Sequence, residues 1–231
     1  MNGRYQGITA TVTGSNCLLK EEMIFHFLQE GITVMAPVNN ALEVDVLNTR
    51  AAAAYSGHLV TLLTDLASYE KQRQLSKDFL EEYSRCDLLV YLSQNIRRSP
   101  FLSEVSRNEW EAMIEEDITS FCIAADLYLE NMHNKGGGMF LHVANRQSFT
   151  DRPYSALANI AATVQQEVIA RFAEEASRFN IEYQQIITDN ITNNDSLLNE
   201  EQNSSLPREI AAQVLNIFST SYKPIPCCKK V

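Results

Sequence analysis

TVTGSNCLLKEEMIFHFLQEGITVMAPV, residues 11–38, is the stretch of sequence that decides the fold. An apolar run rich in β-branched residues ends in a turn at Gly14, and a second such run occupies residues 32–38. Between the two runs the apolar residues recur at helical spacing, with Ile24 and Phe27 on one face. Strand, tight turn, helix and strand in this order form the unit that opens a nucleotide-binding sheet.

The same alternation continues along the rest of the chain. Near-continuous apolar runs are typical of parallel strands that are buried on both faces. The predicted strands are 7–13, 32–38, 58–64, 87–93, 138–143 and 182–188, and the predicted later helices are 104–133, 154–179 and 207–219. Strands that alternate with helices imply right-handed crossovers. We therefore predict an α/β fold with a Rossmann-like, doubly wound parallel sheet, in a single domain over residues 1–222 with a short tail at 223–231.

Composition and charge argue against several classes of function. The net charge of −10 disfavours a nucleic-acid surface, which needs clustered lysine and arginine. No apolar run approaches the about 20 residues of a membrane span, so no membrane partner is expected. The five cysteines lack C-x-x-C spacing, and we expect reduced thiols in a cytoplasmic protein. No histidine has a partner at metal-ligand spacing, and no metal site is predicted.

Six local landmarks follow one another along the chain. They are Thr13-Gly14 after the first strand, Asp65-Leu66 after the third, Asp87-Leu-Leu-Val90 in the fourth, Glu109-Trp110 in a long helix, Gly138-Met-Phe-Leu-His-Val in the fifth strand and Tyr154 at the next helix. In this order they resemble the short-chain dehydrogenase/reductase family over nearly the whole chain. The resemblance implies a nicotinamide-dependent oxidoreductase that assembles as a dimer or tetramer.

The first turn departs from the family pattern T-G-x-x-x-G-x-G. Gly14 is kept, but Leu18 and Lys20 stand where the two later glycines belong. Glycine is needed there because the backbone approaches a pyrophosphate closely and the helix packs tightly on the strand. We expect Leu18 to project into the phosphate position or to force the turn open. Lys20 carries a charge that can attract phosphate, but an exposed first-turn lysine is the simpler interpretation.

The other cofactor positions of the family are also changed. The second strand ends Met35-Ala36-Pro37, without the acid that holds a ribose hydroxyl or the arginine that suits a 2′-phosphate. The family's N-N-A-G is Tyr91-Leu92-Ser93-Gln94 here, so we expect bulky side chains in the space of the adenosine half. The acid near the adenine is Asp65. These departures predict that NAD(P) binding is lost, that no cofactor is bound, and that Gly14 and Asp65 are vestigial.

The catalytic set that the resemblance implies is equally incomplete. The family's helix asparagine aligns with Asp117, or with nothing if the register slips, and its serine falls at Ala144 or Asn145. The Y-x-x-x-K motif reads Tyr154-Ser-Ala-Leu-Ala158, which lacks the lysine. Without a cationic neighbour, a tyrosine with a pKa of about 10 is only about 0.1% ionised at neutral pH. We therefore predict Tyr154, Asn145 and Asp117 to be a vestigial catalytic set.

Three functions remain open on the sequence. The first is a non-catalytic subunit, a pseudoenzyme that assembles with itself or with an active homologue through its two long helices. The second is a cofactor-independent lyase, isomerase or cyclase, in which Tyr154 works with Asp117, Asn145 or His142. For His142, a structural role within its strand is the simpler interpretation. The third is a divergent but working NAD(P)-dependent oxidoreductase.

Overall fold

The apolar runs form six strands of one parallel sheet. The structure, a computed structural model, describes residues 4–51, 55–93, 101–149, 155–188 and 205–221. The strands are β1 (Thr9–Gly14), β2 (Thr33–Val38), β3 (Leu59–Leu63), β4 (Leu88–Ser93), β5 (Gly138–Asn145) and β6 (Ile181–Thr188). Their order in the sheet is β3-β2-β1-β4-β5-β6, with parallel pairing throughout. The predicted Rossmann-like α/β sheet is confirmed.

Helices connect the strands and cover both faces of the sheet. The described α-helices are α1 (Leu18–Gln29), α2 (Ala41–Ala51), α3 (Tyr69–Tyr83), α4 (Arg107–Met113), α5 (Ser120–Asn134), α6 (Ala156–Ala176) and α7 (Ser205–Ser221). A capping box starts α4, in which Ser106 and Glu109 bond each other's backbone N–H groups. A π-helical segment, Ile114–Thr119, joins α4 to α5, so the long predicted helix is present but changes its winding.

Side chains of each strand alternate between two cores, one on each face of the sheet. Val90 and Leu92 of β4 pack with apolar residues of α1 and α7. Leu89 and Tyr91 of the same strand pack on the opposite face, with residues of α3, α5 and α6. Because helices cover both faces, the central strands need apolar residues at nearly every position, which explains their sequence.

The sheet has a switch point at β1. From β1 the sheet extends through β2 to β3, and the chain then crosses to β4 on the other side of β1. In open α/β sheets such a reversal leaves a crevice at the carboxyl ends of the two central strands. The register places Gly14 beside Leu92, and Ser93 beside Ala144, along this carboxyl edge. A ligand is therefore expected at this edge.

Some predicted features lie outside the described residues. They are Gln94, Tyr154 and the tail at 223–231. Within the described ranges, no helix is long and apolar enough to cross a membrane. The same ranges contain no group of three or more His, Cys, Asp or Glu side chains that could hold a metal ion.

Candidate active site

Gly14 forms the turn that ends β1 and borders the crevice. Its backbone has a φ of +96°, and a β-carbon on this residue would collide with the carbonyl oxygen of Leu92 in the neighbouring strand. The N–H of Ser15 donates a hydrogen bond to the same oxygen, at 2.9 Å. Glycine accommodates both the positive φ and the close approach of the two strands. The first glycine of the family pattern is therefore required by this turn, and α1 begins shortly after it.

Lys20 is a buried residue, so the interpretation of an exposed first-turn lysine is wrong. Its side chain is 1% exposed, and its Nζ lies 2.9 Å from Oε1 of Glu43 in α2. The same ammonium donates a hydrogen bond to the carbonyl oxygen of Pro37 at 3.2 Å, near the end of β2. A buried charge persists when it is paired and hydrogen-bonded. The lysine is therefore held between α1, α2 and β2, and its charge is balanced by Glu43.

The bulky residues at the end of β4 are directed into the two cores. Tyr91 packs edge-to-face against Phe121 of α5, with ring centroids 4.9 Å apart. Its hydroxyl lies 2.8 Å from Ser120 Oγ. Leu92 is buried on the opposite face of the sheet, in the core with α1 and α7. Because successive side chains of a strand point to opposite faces, neither fills the space above the sheet edge. The expectation that they occupy the adenosine space is therefore wrong.

Asp65 follows β3 beside an open cavity of ≈740 Å³. Its carboxylate is exposed, accepts a hydrogen bond from the Ala67 N–H at 3.1 Å, and lies 3.6 Å from Lys71 Nζ. Thr64 is buried in the cavity wall, and its Oγ1 has no hydrogen-bond partner among the described residues. Such a hydroxyl costs about 1–3 kcal/mol unless something binds it. The cavity lining comprises Asn39, Leu62, Leu63, Thr64, Asp65, Lys71, Gln74, Leu75 and Asp78.

Asp117 lies in the π-helical segment between α4 and α5. A π-turn disturbs the regular i→i−4 pairing of the backbone, and such turns are frequent at functional sites. The side-chain amide of Gln165 in α6 donates to the carbonyl oxygen of Asp117 at 2.5 Å. The side chain of Asp117 is itself buried. The contact with α6 therefore fixes the irregular turn and the position of Asp117 within the helical layer.

Of the two other members of the predicted catalytic set, the structure describes only Asn145. Asn145 is the last residue of β5, is buried, and pairs with Thr188 of β6. Tyr154 lies outside the described residues. Ala158, at the position of the family's lysine, is buried in α6. The carboxyl edge therefore includes Asn145, while the lysine position holds a small apolar side chain.

A chain of three polar side chains lies near the same edge, and of its members the sequence singled out only His142. Ser93 Oγ lies 2.7 Å from Nε2 of His142, and Nε2 of Gln185 lies 3.2 Å from Nδ1 of the same ring. The three residues belong to β4, β5 and β6. Burial lowers the pKa of His142 to about 3, so the ring is neutral at physiological pH. The sequence gives no comparable signal for Gln185, because β6 carries several other polar residues.

One family model matches most of the chain. The model, described as short chain dehydrogenase, covers residues 8–191, which include all six strands and the carboxyl edge. The chain belongs to the short chain dehydrogenase family. The resemblance found in the six sequence landmarks is thereby confirmed at the level of the family. A search of curated proteins found no significant match to this chain.

Solved structures of several dehydrogenases and reductases share the fold. Hydroxysteroid dehydrogenase from Escherichia coli has a TM-score of 0.76 at 18% identity, covering 93% of this chain and 90% of its own. L-Sorbose reductase from Gluconobacter frateurii, complexed with NADPH and L-sorbose, scores 0.79 at 16% identity, covering 94% and 91%. A 7α-hydroxysteroid dehydrogenase complexed with NADH and 7-oxo glycochenodeoxycholic acid scores 0.76 at 19% identity, covering 94% and 89%. These likenesses establish the fold.

The comparisons correct the prediction that NAD(P) binding is lost. The chain belongs to a family of dehydrogenases, and two of the similar structures hold NADPH or NADH. One steric reason behind the prediction also fails, since Tyr91 and Leu92 are directed into the interior. Leu18, the first residue of α1, is half-buried. Gly14 forms the tight turn that the first glycine of the family pattern provides, and the unpaired Thr64 hydroxyl lies in a cavity beside Asp65. These residues fit a bound dinucleotide.

Proposed function

We propose that the chain is a divergent NAD(P)-dependent oxidoreductase that interconverts a carbonyl compound and an alcohol. The observation that carries the proposal is the direction of the substituted side chains. Lys20, Tyr91 and Leu92 are buried within the protein, so they do not obstruct the edge that runs from Gly14 to Asp65. Membership of the family and the nucleotide complexes of two similar structures support the same function.

The residues that would hold the dinucleotide follow the edge of the sheet. The Gly14 turn and the first N–H groups of α1 would bind the pyrophosphate, since a helix N-terminus favours negative charge. Thr64 and Asp65 would contact the adenosine end. When bound, the nicotinamide supplies the group that donates or accepts a hydride. Asn145, at the end of β5, would lie on the substrate side of the crevice.

Titration of the purified protein with NADH and NADPH tests the proposal. A ligand at a hundredfold excess over its Kd stabilises the folded state by about 2.7 kcal/mol, which a thermal melting curve detects. We expect such a shift with at least one of the two nucleotides, together with heat of binding in calorimetry. Absence of both signals at millimolar nucleotide would contradict the proposed function.

A second candidate is a non-catalytic subunit that binds nucleotide without turnover. Ala158 favours it, because a buried alanine cannot supply the positive charge of the family's lysine. The distinction requires a turnover assay, in which NADH or NADPH oxidation is followed with a set of ketones and aldehydes. Nucleotide binding without oxidation by any of them would favour the subunit.

The subunit would act by association with itself or with an active homologue. Light scattering of the protein alone, and again after co-expression with a homologue that retains the lysine, measures this association. A complex of defined stoichiometry with the homologue is the expected result for the subunit, and a monomer under both conditions argues against it.

A further inference from the structure

A cavity between the C-terminal parts of α5 and α6 lies at the end of the sheet opposite the candidate active site. Its volume is ≈230 Å³, and we refer to it as the α5–α6 cavity. Ile181, the first residue of β6, forms part of its wall, which places the cavity at the amino edge of the sheet. The site that runs from Gly14 to Asp65 lies at the carboxyl edge. The two regions are therefore separate.

The wall of the α5–α6 cavity is largely apolar. Leu129 of α5 and Phe172 of α6 are partly buried against the core of that face. Phe179, just after α6, is 40% exposed. Cys122 and Val168 continue the same stripes along the two helices and are also only partly buried. Contiguous exposed apolar surface with a polar rim is typical of a protein interaction site.

Three carboxylates form the rim of the cavity. Asp126 and Glu130 of α5 and Glu175 of α6 line it and are exposed. None of the three forms an ion pair with another residue in the described part of the chain. Both helices also end here, at Asn134 and Ala176, and the C-terminal end of a helix carries partial negative charge. The cavity therefore favours a positively charged group.

A second copy of this chain is poorly suited to supply that group. The π-helical segment, α5 and α6 together present one arginine, Arg171, and seven exposed acidic residues: Glu115, Glu116, Asp126, Glu130, Glu167, Glu174 and Glu175. Arg171 already lies 2.6 Å from Glu167. Lys135 and Arg178 follow the two helices and do not line the cavity. A two-fold dimer uses the same surface on both subunits, so acidic residues would face acidic residues.

The size and the chemistry of the cavity favour an arginine side chain. Small-molecule sites usually enclose about 300–1,000 Å³, so a volume of ≈230 Å³ is better matched to one inserted side chain. A guanidinium group is planar, stacks on aromatic rings and bonds carboxylates through two N–H groups. Phe172 and Phe179 offer the rings, and Glu130 and Glu175 offer the carboxylates. A helix is the natural carrier, because the surface is a groove between two helices.

We propose that the α5–α6 cavity is the docking site for a partner protein that inserts an arginine from an apolar helix face, and that this surface does not pair with a second copy of the chain. The cavity and the candidate active site lie at opposite edges of the sheet. The docking therefore does not depend on nucleotide binding or on turnover, and it can fail or succeed independently of the proposed function.

The absence of self-pairing is measured by light scattering over a range of protein concentrations. Phe179→Glu adds a negative charge at an exposed position of the cavity wall. We expect this variant and the unaltered protein to have the same molecular mass at every concentration. A dimer of the unaltered protein that Phe179→Glu dissociates overturns the proposal.

The preference for arginine is measured with a synthetic helical peptide that carries leucines along one face and an arginine at the centre of that face. Calorimetry should detect its binding at low ionic strength, and added salt should weaken it. Replacing the arginine by citrulline, which keeps the shape and removes the charge, should weaken binding about tenfold to a hundredfold. No binding of the arginine peptide, or equal binding of the two peptides, overturns the proposal.

The position of the peptide is tested with two double variants that remove the same charge. Glu130→Gln/Glu175→Gln alters the cavity and should weaken binding of the arginine peptide about tenfold or more. Glu70→Gln/Glu209→Gln alters exposed positions of α3 and α7 and should leave the affinity nearly unchanged. Equal losses in the two variants would mean that the peptide responds to the net charge of −10, and the proposal would be overturned.

Discussion

At the scale of the residue, the lysine of the first turn is accommodated by contacts with distant elements. Lys20 replaces a glycine of α1, yet its ammonium reaches Pro37 in β2 and Glu43 in α2. The sequence predicts a turn at Gly14, because the end of an apolar run at a glycine is a local signal. It does not predict the direction of Lys20, since the partners of this side chain are brought near only by the folded sheet. The same limit applies to Tyr91, whose packing against Phe121 of α5 is not visible in the sequence.

The buried ion pair gives a first prediction. Lys20→Met leaves the carboxylate of Glu43 buried without its partner, and we expect a loss of about 3–5 kcal/mol in the free energy of unfolding. The double variant Lys20→Met/Glu43→Leu should recover most of that loss. Urea denaturation measures both. Lys71→Met is the control, because the Lys71 and Asp65 side chains are exposed, and it should change stability by less than about 1 kcal/mol. Equal effects of the two single variants would refute the importance of the buried pair.

Thr64 gives a second prediction at this scale. Because its Oγ1 lacks a partner among the described residues, Thr64→Val should leave the stability of the nucleotide-free protein unchanged or raise it slightly. It should also weaken nucleotide binding, measured by calorimetry. Thr9→Val is the matched control: Thr9 Oγ1 donates to the Arg85 carbonyl oxygen at 2.5 Å, so its loss should cost about 1–3 kcal/mol. Unchanged nucleotide affinity in Thr64→Val would exclude Thr64 from the binding site.

At the scale of the element, strands and helices could be predicted where the sequence has a periodic apolar pattern. Elements without such a pattern were missed. All six strands were predicted, and β2, β4 and β5 are nearly continuous apolar runs. Helix α2 was missed because it lies on the sheet with few buried residues: Leu47 is buried, whereas Leu42 is 68% exposed. The π-helical segment was also missed. Its winding depends on Gln165, which belongs to a different helix and carries no local signal.

The π-helical segment gives a third prediction. Gln165→Leu removes the amide that donates to the Asp117 carbonyl oxygen. We expect a loss of about 1–3 kcal/mol in stability, because a buried carbonyl loses its partner. Amide hydrogen exchange should become faster over residues 114–119. Gln166→Leu, at the neighbouring exposed position of α6, is the control and should change neither quantity appreciably. If both variants behave alike, the amide does not hold the segment.

At the scale of the whole molecule, the fold and the site depend on different numbers of residues. The sheet is specified by many buried apolar side chains in two cores, so it tolerates change at single positions. The site depends on a few residues at the carboxyl edge, and Leu18, Lys20 and Ala158 have changed there. The sequence therefore predicted the sheet from its apolar runs, and it proposed site residues only through the family resemblance. It could not predict what the site binds, because that depends on side-chain directions such as those of Tyr91 and Lys20.

The stability of the whole molecule towards acid gives the last prediction. The pKa of His142 is lowered by burial from 6.5 to about 3. Above pH 6.5 the residue is neutral in both the folded and the unfolded chain. Below that pH the unfolded chain binds a proton that the folded protein does not, so stability falls as the pH is lowered towards 3. The slope is about 1.4 kcal/mol per pH unit, which gives a loss of about 2 kcal/mol between pH 6.5 and pH 5.

His142→Gln removes this titration and should flatten the dependence of unfolding free energy on pH, measured by urea denaturation between pH 5 and pH 7. The groups around the ring are Ser93, Gln185, Tyr91 and Phe121, and none of them carries a charge that titrates in this range. His26, whose pKa is also lowered by burial, contributes to the slope of both proteins and cancels in the comparison.

His133→Gln alters an exposed histidine and should keep the original slope. A His142→Gln variant with that same slope would mean that the ring binds its proton in the folded protein over the same pH range, and that burial does not keep it neutral.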